Sequence, residues 1–412
     1  MHSSFLKPRY NSHCFADLPA TITYLLTGQG QPALAPEVLG RFKKRYDTVI
    51  FFFIDGFGWR FYEQFKAHPA LALLAANGHV SQLTSQFPST TAAHVTTIHT
   101  GLPVGQNGVH EWFYYEPQLD ELIAPLLFSF AGTYKRETLR STNVTAASLY
   151  PPTTLYQQLA AHSIQSTILQ HRDYTPSTYS DYIFRGATVQ PYRTLTEALV
   201  NLRLRLARQQ SPSYYFLYFD QIDTIGHNDG PSSPHFAAEV DSFLTILDRQ
   251  FLQPLDGQLK NTLLMLTADH GQVEVDPATT IYLNLRSKFN GLQKFLKSNH
   301  KGDLLVPAGS ARDLFLYIHD DQIEAAQTFF ANRLEGQADV VKVADLITQG
   351  YFGPLPLSPA FLARVGNLVI LPYAGESVWW YEADKYEQRF FGHHGGLTPQ
   401  EMEIPLIFFD FS

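Results

Sequence analysis

Five short segments, spread along the chain, each place an Asp, His or Thr beside a glycine or at the end of an apolar run. They are IDG at Asp55, FPSTT ending at Thr91, DTIGH from Asp223 to His227, ADHG at Asp269 and His270, and HHGG at His393 and His394. Together they supply carboxylates, imidazoles and a hydroxyl. Two divalent cations about 3.5–4 Å apart can clamp the attacking and leaving oxygens of an in-line displacement. The residue types therefore predict a two-metal phosphoryl-transfer site.

Each segment also has an ordinary structural explanation. Asp55 suits a helix N-cap, the threonines suit a cap as well, and the histidine pair suits a surface loop. At a helix start, backbone N–H groups favour an anion, and a hydroxyl beside a metal becomes a nucleophile. The segments complement one another, which favours the metal site. Residue types alone leave two choices open: Thr90 or Thr91, and His393 or His394.

Other familiar sites are missing from the sequence. It contains no Walker loop, no GxSxG elbow and no HExxH motif, and its one cysteine, Cys14, excludes an internal disulfide. The formal net charge of −8 gives no general attraction to nucleic acid, so no extended nucleic-acid partner is expected. No apolar run approaches the roughly 20 residues of a membrane helix. Without a recognisable signal peptide, the sequence predicts a cytoplasmic protein with no membrane partner.

The segments follow elements that would position them together. Continuous apolar runs at 47–56, 214–220 and 261–271 end at or just before the motif residues, which is typical of buried parallel strands. Helical spacing lies between them, for example over 58–78, with a break near Pro69, and over 234–251. This alternation predicts an α/β fold with a mostly parallel central sheet covered by helices on both faces. Ligands bind such sheets beyond the carboxyl ends of the strands.

The hydrophobicity pattern changes between residues 275 and 365. Short strand-like runs, one helical stretch and a proline-rich connection replace the long apolar runs. We predict a small α+β cap insertion over 275–365, and a discontinuous catalytic core formed by 1–274 and 366–412. The aromatic-rich stretch 111–150 is a candidate for a second insertion.

The motif order IDG, FPSTT, DxxGH, ADHG and HGG resembles the alkaline phosphatase superfamily. Within it, the chain is most similar to the type I phosphodiesterase / nucleotide pyrophosphatase family. In that family the nucleophilic threonine lies ten residues before the glycine of a TG pair, and counting back from Gly101 reaches Thr91. The resemblance implies an alkaline-phosphatase-like fold. It implies one metal held by Asp55, Thr91, Asp269 and His270, and a second metal held by Asp223, His227 and His394.

The resemblance also implies the chemistry. It implies two divalent ions, Zn²⁺ first and Mn²⁺ as an alternative, and hydrolysis of small phosphodiester or pyrophosphate substrates through a phospho-threonine on Thr91. The family usually has an asparagine that donates to a phosphate oxygen where this chain has His94, so His94 is expected either to bind phosphate or to pack against the helix. Phosphomonoesterase or phosphonate hydrolase activity is the alternative within the superfamily. A non-catalytic metal-binding protein is the alternative outside it.

Overall fold

The apolar run before Asp55 forms strand β1 in a seven-stranded sheet of the computed structural model, which describes residues 1–42, 44–133, 135–209 and 212–411. The strands of these residues are β1 (Thr48–Ile54), β2 (His79–Thr84), β3 (Tyr114–Glu116), β4 (Glu121–Ala124), β5 (Ser129–Phe130), β6 (Gln165–His171), β7 (Ala187–Tyr192), β8 (Ser213–Phe219), β9 (Thr262–Thr267), β10 (Val273–Glu274), β11 (Ile281–Tyr282), β12 (Ala308–Ser310), β13 (Asp313–Leu316), β14 (Ala338–Lys342), β15 (Leu368–Pro372), β16 (Val378–Trp379), β17 (Gly392–His393) and β18 (Glu403–Asp410).

The α-helices alternate with the strands of the large sheet. They are α1 (Leu18–Thr27), α2 (Pro36–Leu39), α3 (Trp59–Phe65), α4 (Pro69–Asn77), α5 (Thr91–Thr100), α6 (Val104–Asn107), α7 (Ala146–Leu149), α8 (Leu155–Ala161), α9 (Thr178–Ile183), α10 (Leu195–Leu206), α11 (Gln221–Asp229), α12 (Pro234–Leu247), α13 (Gln253–Leu255), α14 (Ile323–Arg333), α15 (Val343–Thr348), α16 (Pro359–Arg364) and α17 (Pro399–Met402). The predicted break at Pro69 is confirmed, because α3 ends before this proline and α4 begins with it.

The central sheet has the strand order β2-β18-β9-β1-β8-β6-β7. Strand β18 runs antiparallel to both of its neighbours, whereas the ladders that join β9, β1, β8, β6 and β7 are parallel. Both faces of β1 are covered: the ring of Phe52 packs 5.0 Å from that of Phe251, and the ring of Phe53 packs 5.4 Å from that of Phe15. Successive side chains of a strand point to opposite faces. The mostly parallel α/β prediction is therefore confirmed.

Strands β9, β1 and β8 lie side by side, so their carboxyl ends meet at one edge of the sheet. Ile54 pairs with Phe219, and Phe53 pairs with Thr267. Asp55 directly follows β1, and the ADHG segment follows β9. The two segments therefore leave the sheet next to each other, although more than 200 residues separate them along the chain.

Smaller sheets lie beyond this edge. Strands β12-β13-β15-β14 form an antiparallel sheet that has its own apolar cluster, and β3-β4-β5 form a second small sheet. The four-stranded sheet includes Leu368–Pro372, which lies just outside the predicted cap range, so the division into core and cap stays a prediction. The ribbon β10-β17 pairs Val273 with His393 and thereby joins the ADHG segment to the HHGG segment.

None of the helices within the described ranges combines the length and the hydrophobicity that a membrane span requires. The predicted cytoplasmic location stays a prediction.

Candidate metal centre

The predicted metal ligands lie close together, and we call them the cluster. Asp55 belongs to this cluster and directly follows β1. It is 2% exposed, and the hydroxyl of Tyr218 on the neighbouring strand donates a hydrogen bond to its carboxylate. The next residue, Gly56, has φ +72°, and a Cβ atom there would stand 2.9 Å from Cβ of Asp223. A glycine is therefore required at this turn, both for the left-handed backbone and for the close approach of the second carboxylate.

Thr91 is the first residue of helix α5 and faces Asp55. Its Oγ lies 3.4 and 3.5 Å from the two Asp55 carboxylate oxygens and 3.2 Å from His270 Nε2. Thr90 is buried and is the N-cap residue of α5, and its carbonyl oxygen contacts His94 Nδ1 at 2.7 Å. Of the two threonines that the sequence leaves open, Thr91 is the one whose hydroxyl reaches the cluster.

Asp269 and His270 both point into the cluster because the chain turns after β9. One Asp269 oxygen accepts hydrogen bonds from the N–H groups of Gly56 (3.1 Å) and His270 (3.0 Å). The other oxygen, Oδ2, is buried without a hydrogen-bond partner in the described residues and lies 3.2 Å from His270 Nε2. His270 Nε2 also lies 3.5 Å from an Asp55 oxygen.

Helix α11 contributes Asp223 and His227, which are four residues apart and therefore lie on one helix face. His227 Nε2 lies 3.2 Å from an Asp223 oxygen and 3.1 Å from His394 Nε2. His394 Nε2 is in turn 3.8 Å from the other Asp223 oxygen. The HHGG segment thus presents His394 to the cluster, whereas the Nδ1 atom of His393 contacts the backbone of its neighbour at 2.9 Å.

All seven predicted ligands therefore gather at one edge of the sheet. Five of them form two overlapping groups, and Thr91 and His227 contact these groups. In each of the groups Asp55, Asp269, His270 and Asp223, His270, His394, the ligand atoms lie within 4.8 Å of one another. The resemblance assigned His270 to the first metal alone, whereas this geometry places its Nε2 between the two groups.

The histidines are oriented as metal ligands. The Nδ1 atoms of His227, His270 and His394 lie 2.7, 3.0 and 2.9 Å from the carbonyl oxygens of Gly392, Gly271 and Ser89. A carbonyl oxygen only accepts, so each Nδ1 carries a proton and each Nε2 has a free lone pair directed into the cluster. Such backbone contacts fix the tautomer of metal-binding histidines. Converging lone pairs and carboxylates repel one another unless cations lie between them, so these residues fit divalent metal ions.

The pKa values agree with this interpretation. Burial raises the pKa of Asp55 well above its ordinary value, and the carboxylates of Asp269 and Asp223 raise it further. Burial raises the pKa of Asp269 to about 7 and lowers the pKa of His394 to about 4. The protein alone thus places two carboxylates, Asp55 and Asp269, where their negative charges are poorly compensated, and bound cations would neutralise them. For Asp223, burial is outweighed by His227, which lowers the pKa of that carboxyl.

His94 does not face the cluster. It is fully buried, its Nδ1 lies 2.7 Å from the carbonyl oxygen of Thr90, and its Nε2 accepts a hydrogen bond of 2.9 Å from the Gln86 N–H. Burial lowers its pKa to about 3, so the ring is neutral. Neither ring nitrogen remains for a phosphate oxygen. The expectation that His94 binds phosphate is therefore corrected in favour of the packing alternative: His94 holds the turn before Thr91.

Two residues of the site were not predicted from the sequence. Tyr218 supports Asp55, and the Gln272 side chain donates to an Asp223 oxygen at 2.5 Å. Tyr218 belongs to an apolar strand, where nothing in the pattern separates it from other core tyrosines. Gln272 directly follows the ADHG motif. Its place next to the predicted ligands could therefore have indicated that it contacts them.

A cavity of about 190 Å³ opens beside Thr91. Its walls are largely aromatic and aliphatic, and they include Trp112, Tyr174, Tyr179 and Phe184. Arg136, from the stretch between α6 and α7, also lines it. The cavity and the metal-binding edge share Asp55, Thr91 and Asp223, so a molecule bound in the cavity would reach the cluster.

Comparisons with known proteins identify the family of the chain. A family model described as type I phosphodiesterase / nucleotide pyrophosphatase matches residues 49–397. The venom phosphodiesterase CdcPDE of Crotalus durissus collilineatus is 27% identical over 237 residues, which cover 55% of this chain and 26% of that protein. Ectonucleotide pyrophosphatase/phosphodiesterase family member 3 of Rattus norvegicus is 25% identical over 235 residues, which cover 54% of this chain and 24% of that protein. The match thus spans about a quarter of the length of these curated relatives.

Solved structures share the fold. Murine ectonucleotide pyrophosphatase / phosphodiesterase 5 superposes with a TM-score of 0.62 and 17% identity, covering 87% of each chain. Phosphonoacetate hydrolase from Sinorhizobium meliloti 1021, solved with phosphonoacetate, superposes with a TM-score of 0.60 and 18% identity, covering 87% of this chain and 89% of that one. The predicted alkaline-phosphatase-like architecture is confirmed.

Proposed function

This chain belongs to the type I phosphodiesterase / nucleotide pyrophosphatase family, and from that membership we propose that it is a two-metal hydrolase of phosphodiester or pyrophosphate bonds. The position of Thr91 carries the proposal: its Oγ lies 3.2 Å from His270 Nε2 and 3.4 Å from an Asp55 oxygen. It also lies at the start of helix α5, where backbone N–H groups favour an anion. A hydroxyl placed there can attack a phosphorus atom held in front of the helix.

We propose nucleotide-like phosphoesters as the substrate class. The matching family is named for nucleotide pyrophosphatases, and the murine structural neighbour has been solved in complex with AMP. The aromatic walls of the cavity suit a flat organic group next to the phosphate. The site is small and concave, which favours a small molecule over an extended polymer.

The metal assignment follows the two groups of side chains. We assign Asp55, Thr91, Asp269 and His270 to one cation, and Asp223, His227 and His394 to the other. Imidazole nitrogen and carboxylate oxygen suit Zn²⁺, and Mn²⁺ is the alternative because oxygen-rich sites accept it. When bound, the cations supply Lewis-acid charge that acidifies the nucleophilic hydroxyl and polarises the phosphoryl oxygens.

The protein residues divide the reaction into two displacements. Thr91 Oγ forms a bond to phosphorus while the bond from phosphorus to the leaving oxygen breaks, which gives a phospho-threonine. Water then attacks the same phosphorus, and the bond to Oγ breaks to restore Thr91. Tyr218 and Gln272 hold the Asp55 and Asp223 carboxylates in place through their hydrogen bonds. Such supporting contacts keep the reacting groups within the narrow geometry that catalysis requires.

The contacts of Arg60 and Arg312 favour a diester over a monoester. A monoester carries an additional negative charge, which calls for additional cationic groups around its phosphate. Arg312 is fully buried and pairs with Glu401 through two contacts of 3.0 Å. Arg60 is bound to Glu274 at 3.0 Å and to the Gln272 carbonyl oxygen at 2.7 Å. Both guanidinium groups are thus committed to structural contacts.

A substrate comparison on the zinc-reconstituted protein tests the proposal. An aryl phosphodiester and a dinucleoside pyrophosphate should be hydrolysed faster than an aryl phosphomonoester or a phosphonate. Preference for the monoester or for the phosphonate would move the enzyme to another activity of the same superfamily. No turnover of any of the four, with two equivalents of zinc bound, would support a non-catalytic metal-binding protein.

Two substitutions of the nucleophile make the test specific. Thr91→Ala should reduce turnover at least a thousandfold, on the order of losing a catalytic nucleophile. Thr91→Ser retains a hydroxyl and should keep measurable activity. Zinc content and circular dichroism serve as controls for metal binding and fold. Turnover by Thr91→Ala equal to that of the unmodified chain would remove Thr91 from the mechanism.

A further inference from the structure

Among the described residues that line the cavity beside Thr91, Arg136 is the single lysine or arginine. We propose that Arg136 binds a second anionic group on the substrate, a carboxylate or a phosphate carried by the organic arm that occupies the cavity. The inference rests on the proposed function, because it concerns the second ester group of a phosphodiester, the one that is not the leaving group.

The Arg136 guanidinium is available for such a group. Within the part of the chain that the structure describes, no carboxylate oxygen lies within ion-pair distance of it. The neighbouring Glu137 is occupied by Arg140 at 2.8 Å and by the Thr178 N–H at 2.8 Å. Asp220, which lines the cavity and is not one of the predicted metal ligands, accepts hydrogen bonds from Tyr174 and from Gln221, the latter at 2.9 Å. Nearby acids are therefore satisfied without Arg136.

The guanidinium is positioned by an aromatic wall. It lies 5.4 Å from the ring centre of Tyr174, a distance at which a cation is attracted to the ring face. The Tyr174 ring packs edge-on against Tyr218 at 6.2 Å, and the Tyr218 hydroxyl donates to Asp55. Arg136 and the metal-binding edge thus lie at opposite ends of one wall, which a substrate arm would follow from phosphorus to guanidinium.

The charges of the cavity favour an anion at the Arg136 end. The acidic side chains that line it are Asp55, Asp220 and Asp223, whose negative charges would repel a second anion. Two of them are assigned to the metal ions, which would neutralise them. Burial lowers the pKa of the lining residue His99 to about 3, so it adds no positive charge. The favourable site for a distal anion is therefore the guanidinium, which binds planar carboxylates and phosphates through paired hydrogen bonds.

Three diesters with the same 4-nitrophenolate leaving group test the inference on the zinc-loaded enzyme. Their second arms are phenyl, 4-carboxyphenyl and 4-phosphonophenyl. The unmodified enzyme should have a lower KM for an anionic arm. Arg136→Gln should raise the KM for the anionic arms about tenfold, the effect of losing one charge-assisted hydrogen bond. The kcat values, and the KM for the phenyl diester, should change less than twofold. Arg136→Lys should recover part of the preference. A carboxylate-only or phosphonate-only preference identifies which anion is recognised.

Lys135→Gln is the matched control, since it removes one exposed positive charge next in sequence that does not line the cavity. It should leave all three KM values unchanged. Calorimetric titration with phenyl phosphate and 4-carboxyphenyl phosphate gives a readout independent of turnover, and Arg136→Gln should weaken only the second.

Equal effects of Arg136→Gln on the neutral and anionic arms, or equal KM values for all arms in the unmodified enzyme, would overturn the inference while the proposed function stands. Failure of the unmodified enzyme to hydrolyse any diester would instead refute the proposed function and the inference with it.

Discussion

Tyr218→Phe isolates the contribution of one supporting hydrogen bond to metal binding. Tyr218 is 8% exposed, and its hydroxyl donates to an Asp55 carboxylate oxygen. Phenylalanine keeps the ring, so the packing against Phe53 (5.4 Å) and Tyr174 (6.2 Å) is retained. A hydrogen bond to a charged group contributes about 1.5–3 kcal/mol, and about 1.4 kcal/mol corresponds to a tenfold change in a binding constant. Zinc affinity at the Asp55 position should therefore fall about ten- to a hundredfold.

The assay is a zinc titration against a competing chromophoric chelator. This titration gives separate affinities for the unchanged zinc site and for the weakened site of Asp55. Tyr214→Phe is a matched control: it lies on the same strand and is fully buried, but its hydroxyl has no hydrogen-bond partner in the described residues. Its zinc affinity should equal that of the unmodified chain. Unchanged zinc binding in Tyr218→Phe, or an equal loss in both variants, would refute the assignment of Asp55 as a ligand that Tyr218 supports.

Three further predictions concern the same centre. Gly56→Ala should abolish one zinc site when metal content is measured, because the new Cβ would stand 2.9 Å from Cβ of Asp223. The control Gly336→Ala should retain both zinc ions, because Gly336 has a similar φ of +75° but open space around it. Apparent zinc affinity should rise as the pH increases through about 7, because the metal-free Asp269 carboxyl holds a proton below that pH. Calorimetry in buffers of different ionisation enthalpy should detect that zinc binding releases more protons at pH 6 than at pH 8. Chelation should abolish turnover and lower the melting temperature, and zinc at a hundredfold excess over its Kd should restore about 2.7 kcal/mol of stability; a melting temperature indifferent to chelator and zinc would contradict the site.

The parts of the fold that the sequence predicted well are those with strong local signals. The continuous apolar runs before Asp55 and before ADHG correspond to β1 and β9, and the break at Pro69 separates α3 from α4. The edge strand β2 was not predicted, because its first four residues are only partly buried and its pattern is mixed. In the small sheets, strands of two to five residues are too short for periodicity to define their ends.

The candidate site was predicted from residue types and spacing, and the structure places one of its residues, His94, away from the cluster. His94 fits a phosphate-binding role by its place in the motif, but it is turned toward the Gln86 and Thr90 backbone. Position in a motif specifies where the backbone passes, whereas the direction of a side chain depends on which partners surround it. Nothing in the local sequence marks Tyr218, which donates to Asp55, or Arg136, which lines the cavity. The surroundings of both residues are formed by segments distant in the chain.

The order and chemistry of the motifs were sufficient by themselves to predict the family, an α/β sheet and a set of side chains that gather at one edge of that sheet, because apolar runs and ligand types are local properties. Tertiary structure alone decided that His270 stands between the two groups of ligands, that His394 and not His393 faces them, and that a cavity with one arginine adjoins Thr91. The physical reason is strand pairing: the parallel alignment of β9, β1 and β8 brings distant segments to one edge, and only their packing there fixes the direction of each side chain.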